Sequence, residues 1–288
     1  MKFDLDTYKR RTARLDQSGI DFARFAVEPL DADALRCLRY MHDVEFHTAC
    51  YLRDLLVTRA HADPDLTTFL TLWAFEELWH GEAIEAVLRA HGEPAGRAAL
   101  APHAMAVASA TTRHLTAVHM TWGAVNEWTT QAAYGRLAVR AGHPVLSDLL
   151  RRIMRQEGRH IDFYATEAHR LLAGSPTARR LTRLALRRLW APVGTSVMPA
   201  SEVAHLCQYL FTGPEGTQAR LRIDRRIDRL PGLEGLELLE RAARRLAPGP
   251  PGWTGTAKSG MGWSGMAKSG MGWSGVAEPT AGGRGVAA

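Results

Sequence analysis

Two stretches of the sequence place a glutamate three residues before a histidine: Glu77 with His80, and Glu157 with His160. Each pair interrupts an apolar stripe at helical spacing. Leu66, Leu70, Trp73, Ile84 and Leu88 flank the first pair; Leu146, Leu150, Ile153, Ile161 and Tyr164 flank the second. Two further stripes carry a single acid each. Glu45 lies among Leu38, Met41, Ala49, Leu52 and Leu56, and Glu127 among Met120, Gly123, Ala124, Tyr134 and Ala138. A core-facing carboxylate without a partner is costly and tends to take up a proton. Four in one layer need a shared counter-charge, and two metal ions supply it. Bridging carboxylates with imidazoles suit iron or manganese, and a rigid bundle can leave positions open for oxygen. A lone E-x-x-H is commonplace on an amphipathic helix. Two of them, each centred on an apolar stripe and alternating with two lone acids, match the known ligand order of di-metal carboxylate bundles.

The other polar residues take simpler readings. Glu76 lies about 100° round the helix from Glu77, so it is expected beside the ligands or at the surface. Glu82, Glu85 and Glu167 fit a solvated face. His42, three residues before Glu45, is expected as a hydrogen-bonded core histidine, with a third histidine ligand as the alternative. His47, His61, His91, His103, His114 and His169 read as surface or helix-end residues.

Positioning six such side chains takes four long helices, expected over residues 31–60, 65–91, 103–141 and 144–173. Asp31 or Asp33 caps the first, Asp63-Pro64 opens the second, and Gly92 and Gly142 close the second and third. Short links between them point to an all-α four-helix bundle. Shorter helices are expected near 7–17, 177–190, 200–211, 217–230 and 233–247. After Pro248 the composition changes to a ten-residue repeat, GWTGTAKSGM, GWSGMAKSGM and GWSGVAEPTA, starting at Gly252, Gly262 and Gly272. Such a Gly/Ser-rich stretch buries too little apolar surface to offset its ordering entropy. The expected organisation is one helical domain over 1–247 and a disordered tail over 248–288.

Composition narrows the setting. Cys37, Cys50 and Cys207 are scattered with no CxxC pair, which speaks against a disulfide framework or zinc knuckle and fits a reducing cytoplasm. The charged N-terminus lacks the apolar core of a signal peptide, and no apolar run is long enough to span a membrane. A formal charge of +6, carried almost wholly by arginine, is too modest to point to nucleic acid and would suit an acidic protein partner.

These motifs resemble the soluble acyl-ACP desaturase family of the ferritin-like di-iron superfamily. Phe75-Glu76-Glu77-Leu78-Trp79-His80-Gly81 is similar to that family's E-E-x-x-H-G segment, and Glu157-Gly158-Arg159-His160 to its E-x-R-H. Thr130, three residues after Glu127, occupies the place of a family threonine close to where oxygen binds. Val44-Glu45-Phe46-His47 is a looser match. Where the family has an aspartate hydrogen-bonded to a ligand histidine, this chain has Gln156. The resemblance covers about residues 31–173.

The resemblance implies a ferritin-like bundle with additional C-terminal helices, a homodimer, and two iron ions (manganese being possible) on Glu45, Glu77, His80, Glu127, Glu157 and His160. It implies Thr130 in catalysis and a ferredoxin-type electron donor. It further implies oxygen-dependent insertion of a double bond into a fatty acyl chain on acyl carrier protein. Trp73, Met120, Trp122 and Tyr134 could line a tunnel for that chain or be ordinary core. Arg179, Arg180, Arg183, Arg187 and Arg188, with Arg151, Arg152 and Arg155, could form the basic patch that an acidic carrier needs, or simply solvated faces. The alternatives are an N-oxygenase or hydroxylase, which a ligating His42 would favour, a ferroxidase or iron-storage protein, and a degenerate member acting only as a binding protein.

Overall fold

A computed structural model describes residues 3–93 and 114–246. The Gly/Ser/Trp repeat, and the start of the expected 103–141 helix, lie outside the described residues. Four long helices carry the molecule: α3 (Ala32–Leu56), α4 (Pro64–Ala90), α5 (Leu115–Ala141) and α6 (Pro144–Ala173). Shorter helices surround them: α1 (Leu5–Arg11), α2 (Arg24–Val27), α7 (Pro176–Leu189), α8 (Ala200–Phe211), α9 (Gly213–Ile227) and α10 (Leu238–Leu246). No strand occurs among the described residues, and no described helix is long and apolar enough to cross a membrane. The three cysteines are free.

Local chemistry sets the helix ends. The Asp31 carboxylate accepts the Ala34 amide at 2.7 Å, and Asp63 accepts those of Asp65 and Leu66 ahead of Pro64. Gly142, at φ 60°, turns α5 into α6 through a left-handed conformation that other residues resist. α3 packs chiefly on α4 and α5 chiefly on α6, while α3–α5 and α4–α6 contacts close the bundle. Each pair runs antiparallel because its link is short.

Several boundaries differ from the sequence expectation. The N-terminal helix stops at Arg11 rather than 17, because the chain beyond it serves α6 with its carbonyls. Ala13 O accepts from Gln156, and Asp16 O and Ser18 O accept from Arg152. α9 begins at Gly213 rather than 217, with Pro214 in its first turn. α10 begins only at Leu238, where the buried Asp224 carboxylate caps the Leu239 and Glu240 amides at 2.9 and 3.1 Å.

The segment after α7 returns across the outer face of α3. Tyr40 donates its hydroxyl to Val193 O, and Gly194 sits against Tyr40 and Val44. His47 shares that stripe with Tyr40 and Val44, and it is buried rather than at the surface. Glu85 is likewise buried and not solvated, since α3 covers its side of α4.

Close packing between α5 and α6 depends on Gly123. A Cβ there would stand 2.4 Å from the Tyr164 ring, deep in the bundle. Gly123→Ala should therefore cost about 1–3 kcal/mol through overpacking, despite alanine's better helix propensity. Denaturant unfolding checks this; a variant as stable as the parent would contradict the packing.

Candidate metal centre

The six side chains singled out by spacing come together at mid-helix. Glu45 projects from α3, Glu77 and His80 from α4, Glu127 from α5, and Glu157 and His160 from α6. They form two overlapping groups: Glu45, Glu77, His80 and Glu157, then Glu77, Glu127, Glu157 and His160. Within each group one ligand atom per residue lies within 4.8 Å of the others. Glu77 and Glu157 belong to both, so two ions held here would share these two carboxylates and each would have one further Glu and one His. All six residues are buried.

The histidines are held with Nδ1 inward. His80 Nδ1 lies 3.1 Å from Glu77 Oε2 and 3.4 Å from Glu157 Oε1. His160 Nδ1 lies 3.2 Å from both Glu77 Oε1 and Glu157 Oε2. Their Nε2 atoms point away, to Gln156 Oε1 at 2.9 Å and Glu76 Oε2 at 2.8 Å. The terminal carboxylates are anchored too: Trp73 Nε1 donates to Glu127 at 3.0 Å, and the Tyr134 hydroxyl donates to Glu45.

Electrostatics fit a cation pair. Burial, with the Glu77 charge, pushes the Glu45 carboxyl well above its usual range, and burial with the Glu157 charge does the same to Glu127. Burial acts the same way on Glu77 and Glu157, but hydrogen bonds outweigh it, from Glu45 and both histidines at Glu77 and from both histidines at Glu157, and hold these two low. Burial alone would lower the histidines. Hydrogen bonds to Glu157 and Glu77 instead raise His80 to about 10, and hydrogen bonds to four carboxylates hold His160 well above its ordinary value. Glu157 Oε1 is fully enclosed and makes no well-aligned hydrogen bond among the described residues, with His80 Nδ1 3.4 Å away. A buried carboxylate oxygen in that position, within a set of oxygen and imidazole donors, fits a transition-metal ion.

Of the residues that hold the ligands, sequence spacing left Glu76 either beside them or at the surface and gave no sign of Tyr8. Glu76 is fully buried, not at the surface, and bridges His160, the Tyr8 hydroxyl at 3.1 Å and Arg159 at 2.6 Å. Its place beside Glu77 was the available clue; Tyr8, far off in sequence, gave none. His42 stays outside both ligand groups. Its Nδ1 pairs with Asp43 at 2.8 Å, and its Nε2 lies 3.6 Å from Glu85.

An apolar cavity of about 380 Å³ meets this centre from one side. Tyr40, Met41, Thr129, Thr130 and the inner faces of α8 and α10 form its walls, and Glu45 is the one residue of the six that reaches them. Trp73, Met120, Trp122 and Tyr134 do not line it. Trp73 and Tyr134 are instead turned onto Glu127 and Glu45, and Met120 is core. The C-terminal helices, whose packing no local spacing revealed, build the walls in their place.

No protein-family model matches the chain, and no curated protein matches it by sequence. Solved structures do. A point mutant of an R2-like ligand-binding oxidase with an aerobically reconstituted Mn/Fe cofactor superposes with a TM-score of 0.51 at 17% identity, over 83% of this chain and 91% of that one. A second mutant of such an oxidase, with the same cofactor, gives 0.51 at 18%, over 84% and 89%. At such low identity the likeness speaks for architecture, and the chain has the ferritin-like helical bundle that these oxidases share.

Proposed function

We propose that the chain is a di-iron, oxygen-activating oxidoreductase that desaturates a long apolar chain, a fatty acyl group presented on acyl carrier protein. The cavity carries this reading: its apolar walls would lay an extended chain against Glu45 and Thr130. Thr130 keeps its hydroxyl free of hydrogen bonds among the described residues, whereas Thr129, also on that wall, donates to Val125 O at 2.8 Å. That favours Thr130 as the hydroxyl available to the reacting atoms.

Two redox-active ions on the six ligands would supply oxygen activation and the oxidising power to take hydrogens from an unactivated CH₂–CH₂. The protein's own part is positional. Tyr40, Met41 and Ala133 exclude water, Glu45 places one ligand at the cavity wall, and Trp73 and Tyr134 fix the terminal carboxylates. Desaturation removes two electrons from the substrate and oxygen takes four on reduction to water, so a ferredoxin-type donor supplies the other two. The Mn/Fe cofactor of the similar oxidases makes manganese in one position the variant to test against iron.

For the carrier protein, α7 offers exposed Arg180, Arg187 and Arg188 beside exposed Leu181 and Leu184. Arg179 and Arg183 are less available, since they donate to Leu172 O and Ala173 O, and to Gly232 O and Glu234 O. With His42 outside the ligand groups, the feature that would favour an N-oxygenase is missing.

The test is turnover. Iron-loaded, reduced protein should consume oxygen and convert a saturated acyl carrier protein thioester to one lighter by two hydrogens. No such product across chain lengths, with both irons in place, would refute the acyl reading. Ala243→Trp, at the half-buried α10 wall of the cavity, should raise KM at least ~10-fold and leave the metal content unchanged. An unaltered KM would mean that the substrate lies elsewhere.

A further inference from the structure

The two ligand groups are built alike up to the atoms that stand behind their histidines. Each has a terminal glutamate anchored by one aromatic donor, and both share Glu77 and Glu157. What stands behind the histidines differs. His160 gives its outer N–H to the carboxylate of Glu76, 2.8 Å away. His80 gives its own to the neutral amide oxygen of Gln156, 2.9 Å away. The amide orientation is fixed, because its NH₂ donates to Ala13 O at 3.0 Å. All four side chains are buried, so solvent does not level the difference. An ionised acceptor makes the stronger hydrogen bond and leaves the inward imidazole nitrogen the better donor to a metal. Arg159 pairs with the far oxygen of Glu76 at 2.6 Å, and the Tyr8 hydroxyl donates to the near one at 3.1 Å.

We propose that Glu76 and Gln156 make the two metal positions unequal. The position built on Glu127 and His160 fills first and holds its ion more tightly. The position built on Glu45 and His80 is the exchangeable one, and it is the one that faces the cavity, since Glu45 alone of the six reaches the cavity wall. The tight ion then anchors the shared carboxylates, and the looser position is where an incoming ligand is felt. This rests on the di-metal reading above, and it assigns Glu76 and Gln156 as positioning residues.

Titration of metal-free protein with cobalt(II), followed by visible absorption, tests it without turnover. Wild type should bind in two steps whose dissociation constants differ at least ~10-fold. Glu76→Gln gives both histidines an amide, so it should weaken the first step ~10–100-fold and draw the two together. His80→Ala should keep the tight step and His160→Ala should lose it, a comparison that stands even where Glu76→Gln folds poorly. Two equal steps in wild type, an unchanged separation in Glu76→Gln, or the tight step surviving in His160→Ala would each overturn the inference alone. Absence of any cobalt binding would overturn the di-metal reading and this inference together.

Discussion

Glu157→Gln is expected to empty both metal positions at once, while Glu45→Gln and Glu127→Gln each leave one. Glu157 is shared by both ligand groups, whereas Glu45 and Glu127 belong to one group each. The substitution keeps the shape of the side chain and removes the charge that would bridge the ions. A neutral amide is a poor ligand for a hard or borderline cation, and loss of a shared anion leaves both positions with too little negative charge. Glu77→Gln should behave like Glu157→Gln for the same reason. Elemental analysis after iron loading and desalting reads the result: near zero for the shared pair, about one ion for the terminal pair. If Glu157→Gln retained as much metal as Glu45→Gln, the two carboxylates would not be shared, and the paired geometry would be wrong.

Metal loading should also release protons, and affinity should climb steeply with pH. With no ion bound, the cluster balances its own charge. Glu45 and Glu127 are held protonated by burial and by their neighbours' charges, and Glu77 and Glu157 are ionised. Both histidines have raised values, His80 to about 10, and so carry a positive charge at neutral pH. Ligation needs the opposite state at four groups: carboxylates ionised and imidazoles neutral at Nδ1. Two carboxyl and two imidazolium protons must leave, and four carboxylates then balance two divalent ions. Each of these groups has a value raised above its ordinary one, so lowering the pH favours the protonated form and opposes the metal. At about two protons per ion, affinity should fall ~100-fold for each pH unit below neutral. Calorimetry in buffers of different ionisation enthalpy counts the released protons. A count near zero would show that the four ligands already stand deprotonated before the metal binds.

The candidate ligands were legible in the sequence because a helix repeats on its own residues. Glu77 and His80, like Glu157 and His160, fall on one face by the 3.6-residue period, whatever surrounds the helix. The apolar stripes flanking them, and the polar caps at Asp31 and Asp63, come from the same local rule. From these followed the helical class, four long helices and six candidate ligands. Gln156 was legible only as a departure from a family pattern.

The tertiary structure decided what lies between helices distant in sequence. It alone brought Tyr8 and Arg159 onto Glu76, turned Trp73 and Tyr134, which could have been tunnel lining or ordinary core, onto the terminal carboxylates, and placed His42 against Asp43, outside both ligand groups. It buried Glu85 under α3, and His47 on the stripe of α3 that the returning chain crosses. It also built the cavity from α8 and α10 against the face of α3 that carries Glu45. Such contacts depend on the rotation and offset of whole helices against each other, set by the summed fit of many side chains. Local periodicity says which face of a helix turns inward, so it could name Glu45, Glu77, His80, Glu127, Glu157 and His160. It could not say what each of them would meet.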